Sequence, residues 1–125
     1  MVVGVDGCKG GWIAATRRGA RRIDALELLL REALPDLVAV DIPVGLSDAG
    51  PRRCDQEARA LLRGRASSVF RAPIRPMLAA RSQSEASALG RSLDGKGISA
   101  QSWAITGKIR EVDELLRRDG KARRA

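Results

Sequence analysis

The chain opens on an apolar run, Val2-Val3-Gly4-Val5, closed by Asp6. A β-branched run of this kind predicts a strand buried on both faces. Gly7, Gly10 and Gly11 follow, and Trp12-Ile13-Ala14-Ala15-Thr16 predicts a second strand. Glycine supplies the positive φ of a tight turn, so the link between the two reads as a hairpin. Arg17 to Arg22 leaves room for only a very short third strand. Asp24 is placed to cap a helix running to about Leu34, with Leu26, Leu29, Leu30 and Ala33 as its apolar stripe and Pro35 as its stop. Leu37-Val38-Ala39-Val40, leading into Asp41-Ile42-Pro43, predicts the next strand. A strand, a helix and a strand in that order favour a right-handed crossover, which lays this strand parallel to the first. Asp6 and Asp41 then end their strands at the same edge of one sheet.

The second half is more helical. Pro51 suits the first turn of a helix reaching about Arg63 and ended by Gly64, with Cys54, Ala58, Leu61 and Leu62 on one face. Residues 64–81 contain Pro73 and Pro76 and predict no regular element. Ser82 and Glu85 fit a capping box for a helix to about Leu93, closed by Asp94-Gly95. Ser99 is a candidate cap for the last helical region, where Ile105, Ile109, Val112 and Leu116 recur at helical spacing and Gly107 invites a bend. A basic tail, residues 121–125, follows. No internal repeat or low-complexity linker divides the chain, so residues 1–125 read as one domain.

A chain of 125 residues suits a single modest core. With 44% hydrophobic and 30% charged residues, its composition is globular rather than disordered. Trp12, Phe70 and Trp103 are the only aromatics, so the core is aliphatic. No apolar run reaches the roughly 20 residues a membrane-crossing helix needs. The strand-like start leaves no room for a signal peptide, so a cytoplasmic location without membrane contact is expected. Cys8 and Cys54 read as reduced thiols. With no histidine and no third cysteine, the sequence lacks the donors of a zinc site and the bases of Ser-His and Cys-His mechanisms. Carboxylates remain as the catalytic groups. Residues 1–50 carry a net charge of −1 and residues 51–125 one of +9. A basic surface attracts phosphate backbones by counterion release. Yet 19 of the 23 basic residues are arginine, as a GC-rich genome would also give.

Asp6 and Asp41 are the leading candidates for chemistry, because aspartate is disfavoured in strands and costly to bury. Neighbouring strands lie about 4.8 Å apart, close enough for two carboxylates to share a divalent ion. Magnesium or manganese would then complete its shell with water and substrate phosphate, and two such ions suit phosphodiester hydrolysis. The alternative is that each aspartate merely caps a turn before glycine or proline. Gly7-Cys8-Lys9-Gly10-Gly11 reads either as a plain hairpin turn or as a backbone nest for an anion, with Lys9 within reach of a phosphate. It lacks the Gly-Lys-Ser/Thr ending of a Walker loop. Ser67-Ser68-Val69-Phe70 and Gly97-Ile98-Ser99-Ala100-Gln101-Ser102-Trp103 could contact phosphate or stack on a base, or simply cap and anchor helices. Glu111 and Asp113 are candidates for a third carboxylate, although Asp113 and Arg117 also fit a solvated helix pair.

Together these segments resemble the predicted RNase H-like nucleases catalogued as domain of unknown function 429. The matching stretches are Val3 to Trp12, Asp41 to Leu46, Arg53 to Arg59, Arg65 to Pro73, Gly97 to Ile105 and Lys108 to Asp113. Six matches in one order are far more specific than any single one. The resemblance implies an α/β fold, an RNase H-like mixed sheet with flanking helices. It implies a divalent-metal nuclease in which Asp6 and Asp41 hold Mg²⁺ or Mn²⁺, assisted by Glu111 or Asp113. Arg52, Arg71 and Arg75 would position a nucleic-acid backbone. Family members continue into a glutamate-histidine-proline-glutamate motif that this histidine-free chain lacks, so the expected fold is truncated at its C-terminal side. The stretch from Thr16 to Asp24 is shorter than the family pattern, which predicts a clipped or missing third strand. An uncovered Asp41 strand would be an apolar edge open to self-association. Two other readings stand beside this one: an inactive fragment or binding module completed by another chain, and an actin-like nucleotide-binding fold.

Overall fold

The structure, a computed structural model, describes residues 1–120 and Ala122. Of the basic tail only Ala122 is therefore described. The described residues form two compact units, Met1–Val44 with the segment from Lys108 onward, and Gly45–Gly107. No described helix is long and apolar enough to cross a membrane.

The first unit is built on strands β1 (Val2–Cys8), β2 (Gly11–Thr16), β3 (Gly19–Ile23) and β4 (Leu37–Val40), with helix α1 (Leu26–Ala33) between the last two. The sheet order is β3-β2-β1-β4. β1 and β2 are antiparallel, as are β2 and β3, whereas β1 and β4 are parallel. This mixed sheet, flanked by helices, is consistent with an RNase H-like fold. The third strand is present rather than missing. Its five residues pair along β2 from Thr16↔Gly19 to Trp12↔Ile23, because the turn at Arg17-Arg18 is tight enough to spare the rest of the segment for pairing.

β1 is buried on one face only, contrary to the expectation of two. Val3, Val5, Trp12, Ala14 and Ile23 pack with Leu26 and Leu29 of α1 and with Val112 and Leu115 of α5 (Thr106–Arg118). Burial of each large aliphatic side chain in this cluster contributes about 1.5–3 kcal/mol to the unit's stability. Both helices share this one cluster, and the alternate positions Val2, Gly4, Asp6, Ile13 and Ala15 are exposed. An apolar run read from sequence does not distinguish the two cases when the outward positions are themselves Val, Gly and Ile.

Asp24 does not cap α1. The helix starts one residue later than that cap requires, with Ala25 in the cap position and no side-chain bond of its own. Asp24 instead pairs with Arg22 at 2.8 Å. The N–H of Leu26 is taken by Glu111 Oε1 at 2.8 Å, so a carboxylate from α5 performs the capping. At the other end Leu34 adopts a left-handed conformation, φ 42°, before Pro35.

The second unit contains α2 (Arg53–Leu61), two short 3₁₀ turns (Ala66–Ser68 and Arg75–Ala79), α3 (Gln83–Asp94) and α4 (Ala100–Ala104). Its core joins Ile74, Met77, Ala80, Ala86 and Ile98, with Leu89 and Trp103 against it. The capping box of α3 holds: Ser82 Oγ accepts the Glu85 N–H at 3.1 Å, while Glu85 reaches back to the Arg81 N–H at 2.8 Å. Gly95 closes the helix at φ 70°. Ser99 caps α4 through the Ser102 N–H at 3.1 Å. The helical region breaks at Ile105 rather than at Gly107. There the Thr106 hydroxyl bonds back to the Ser102 carbonyl at 2.9 Å, a local bond that competes with the helix ladder and bends it. The supposed apolar face of α2 buries nothing, and Leu61 is 83% exposed.

Candidate functional site

Asp6 and Asp41 come together on the exposed face of the sheet. Val5 pairs with Val40, and the Asp41 N–H continues the ladder by donating to the Val5 carbonyl at 3.1 Å. Asp41 therefore sits beside Asp6, one position past the end of β4. Asp6 does not end its strand as expected: β1 runs on to Cys8, because pairing with β2 continues to Cys8↔Gly11. Both aspartates are exposed, and with Gly4, Ile13, Ala15 and Ala39 they border a shallow depression of about 490 Å³. Asp6 Oδ1 accepts the Gly7 N–H at 2.7 Å, which orients the carboxylate and leaves its other oxygen for a further partner.

Gly10 and Gly11 are required by the backbone itself, whereas at Gly7 only a flexible lysine side chain stands close. A Cβ on Gly7 would lie 2.6 Å from Lys108 Cδ, and one on Gly11 would lie 2.4 Å from the Ile23 carbonyl oxygen. Gly10 takes φ 71° in the two-residue turn. The segment forms the expected hairpin, with exposed Lys9 at its tip. Lys108 crosses the turn, donating to the Gly11 carbonyl and lying 4.4 Å from the Trp12 ring centroid. Sequence reasoning passed over Lys108. Its only local trace is its place at the head of the final motif.

Glu111 serves the opposite side of the sheet. Trp12, Val3 and Val5 face the helices, and the Trp12 indole N–H is held by both Glu111 oxygens, at 3.0 and 3.1 Å. Asp113 is partly buried two positions further along α5. Among the described residues no three Asp, Glu or Cys side chains are grouped to hold a metal ion, and Glu111 and Asp113 are not gathered with Asp6 and Asp41.

The three arginines expected at a phosphate backbone all belong to the second unit and have carboxylate partners there. Arg52 forms a two-point pair with Asp55 at 2.9 and 2.7 Å. Those hydrogen bonds push its pKa above the ordinary arginine value, so it is always charged. Arg71 pairs with Asp94, and Arg75 with Asp48 at 3.4 Å.

Residues 4–125 match the family described as Protein of unknown function (DUF429). The chain belongs to that family. No curated protein and no solved structure matches it. The DUF429 match spans both aspartates, the glycine turn and the segment that carries Lys108 and Glu111.

Proposed function

We propose that this DUF429 chain is a cytoplasmic, divalent-cation-dependent nuclease of RNase H-like type, with Asp6 and Asp41 as the cation ligands. The observation that carries this reading is the placement of two exposed aspartates side by side, Asp6 in β1 and Asp41 just past the end of the parallel strand β4, at an open depression. Two carboxylates form a hard, all-oxygen donor set that fits Mg²⁺ or Mn²⁺, which take one or two carboxylates and fill their remaining positions with water and substrate phosphate. Two carboxylates are enough donors for one such ion. A bound cation supplies an activated water and neutralises charge on the phosphoryl oxygens. Asp6, oriented by the Gly7 N–H, and Asp41 fix where that charge sits, and Lys9 on the adjacent turn adds a positive charge for the substrate backbone. Incubation of the protein with single-stranded and duplex DNA and RNA in Mn²⁺ tests this. Hydrolysis that disappears with EDTA and in Asp6→Asn is expected; a chain that binds Mn²⁺ yet cuts none of the four substrates contradicts it.

A second reading, a non-catalytic binding module completed by another chain, is favoured by the apolar character of the same unit's surface. Val2 is 62% exposed and Leu37, on the edge strand β4, 51% exposed. An exposed apolar edge is a template for pairing. Sedimentation analysis over a range of concentrations separates the readings: a monomer throughout contradicts self-association.

A further inference from the structure

The second unit contains a pocket of about 200 Å³ whose charged lining is Arg52, Arg59, Arg71, Lys96 and Asp55. Helical spacing explains part of this convergence. Positions 52, 55 and 59 run from the cap of α2 to its last turn, three and four residues apart, and so fall on one side of the helix. Arg71 approaches from the segment before the second 3₁₀ turn, and Lys96 from the loop that Gly95 starts after α3.

The charges do not cancel. Asp55 answers Arg52 and Asp94 answers Arg71. Arg59 spends one donor, Nη2, on the Val69 carbonyl at 2.9 Å, and Lys96 is exposed with no ion-pair partner among the described residues. Four cations against two carboxylates leave a surplus of two positive charges around one small space. A guanidinium has five N–H donors, and a single carboxylate or carbonyl occupies at most two of them. Arg59 and Arg71 therefore keep donors for a ligand, in the planar geometry that suits phosphate oxygens. The pair with Asp94 holds Arg71 and the bond to the Val69 carbonyl holds Arg59, so these two side chains lose little freedom when an anion enters.

We propose that this pocket binds a phosphate or diphosphate group, recognised by Arg59, Arg71 and Lys96 and carried either on a small molecule or on the end of a nucleic acid. The volume sets the class of ligand. Sites that enclose a drug-sized molecule run from about 300 to 1,000 Å³, so this pocket takes the anionic group and leaves the rest of the ligand outside. The reading is independent of any cation at Asp6 and Asp41.

Calorimetric titration of the full chain with inorganic pyrophosphate, in EDTA so that no divalent ion contributes, tests the proposal. Lys96→Glu and Arg59→Gln are each expected to weaken binding by about tenfold or more, in line with loss of a charge-assisted bond. Arg53→Gln is the control, because Arg53 is 91% exposed on the same helix, pairs with Glu57 and does not line the pocket. It is expected to change affinity by less than about twofold, as a remote surface charge does in screening salt. Thermal unfolding of each variant verifies the fold. Competition with ADP and with a 5′-phosphorylated oligonucleotide identifies the source of the phosphate. Displacement of pyrophosphate by either upholds the pocket and assigns its carrier. Absence of pyrophosphate binding, or an equal loss in Arg53→Gln and Lys96→Glu, overturns it.

Discussion

The indole nitrogen of Trp12 lies 3.0 and 3.1 Å from the two carboxylate oxygens of Glu111, across 99 positions of sequence. The same carboxylate accepts the Leu26 N–H at 2.8 Å, so one side chain of α5 ties β2 to the first turn of α1. Trp12 is fully buried. Leaving its N–H without an acceptor costs about 1–3 kcal/mol, and losing the helix cap costs about 1 more. Glu111→Ala is therefore expected to lower the free energy of unfolding by about 2–4 kcal/mol in urea titrations, and Glu111→Gln by less, because one acceptor oxygen survives. Mn²⁺ affinity should be unchanged in Glu111→Gln. A drop in that affinity at unchanged stability would place Glu111 in the cation site instead.

Two glycines of the first hairpin are expected to respond oppositely to alanine. At Gly11 the added carbon meets the Ile23 carbonyl oxygen at 2.4 Å, backbone that cannot step aside without breaking the β2–β3 ladder. Gly11→Ala should destabilise by about 1–3 kcal/mol, the usual cost of forcing extra volume into a packed site. Gly4 has nothing within 4 Å of such a carbon and no positive φ. Gly4→Ala should be neutral or stabilise by up to about 1 kcal/mol, through lost freedom in the unfolded chain. Equal effects in chemical denaturation would contradict this account of the turn.

Leu34 ends α1 at φ 42°, ψ 55°, while its side chain is 78% exposed. A left-handed conformation costs a residue with a Cβ about 1–2 kcal/mol, and glycine is the residue favoured at helix ends of this kind. Leu34→Gly removes that strain and little buried surface. It should raise the unfolding free energy by about 1 kcal/mol, read as an upward shift of the thermal midpoint. A lowered midpoint would mean that the Leu34 side chain packs more than its exposure indicates.

What the sequence made legible follows from the range of each signal. The Ser82–Glu85 box, the Gly95 stop and the Ser99 cap are local patterns and appear where they were expected, and the strand runs do too apart from the end of β1, which runs past Asp6 to Cys8. The parallel pairing of β1 with β4, and hence the meeting of Asp6 and Asp41, followed from the strand–helix–strand order. Asp24 failed as a cap because a tertiary partner, Glu111, outcompeted a local preference. Lys108 and Glu111 act on residues about a hundred positions away, and such bonds leave no periodic trace. The one available clue was Trp12 itself, since a tryptophan in a buried strand needs an acceptor for its N–H. The Arg52–Asp55 pair was within reach of sequence reasoning from its i, i+3 spacing.

The proposed chemistry depends on Asp6 and Asp41 forming a cation site together. Titration of the purified chain with Mn²⁺, with the free ion followed by electron paramagnetic resonance, tests it directly. Wild-type protein should bind a single ion, and Asp6→Asn and Asp41→Asn should each weaken binding by about tenfold or more, since a divalent ion on so few ligands depends on both carboxylates. Identical titration curves for the wild type and both variants would contradict a shared site.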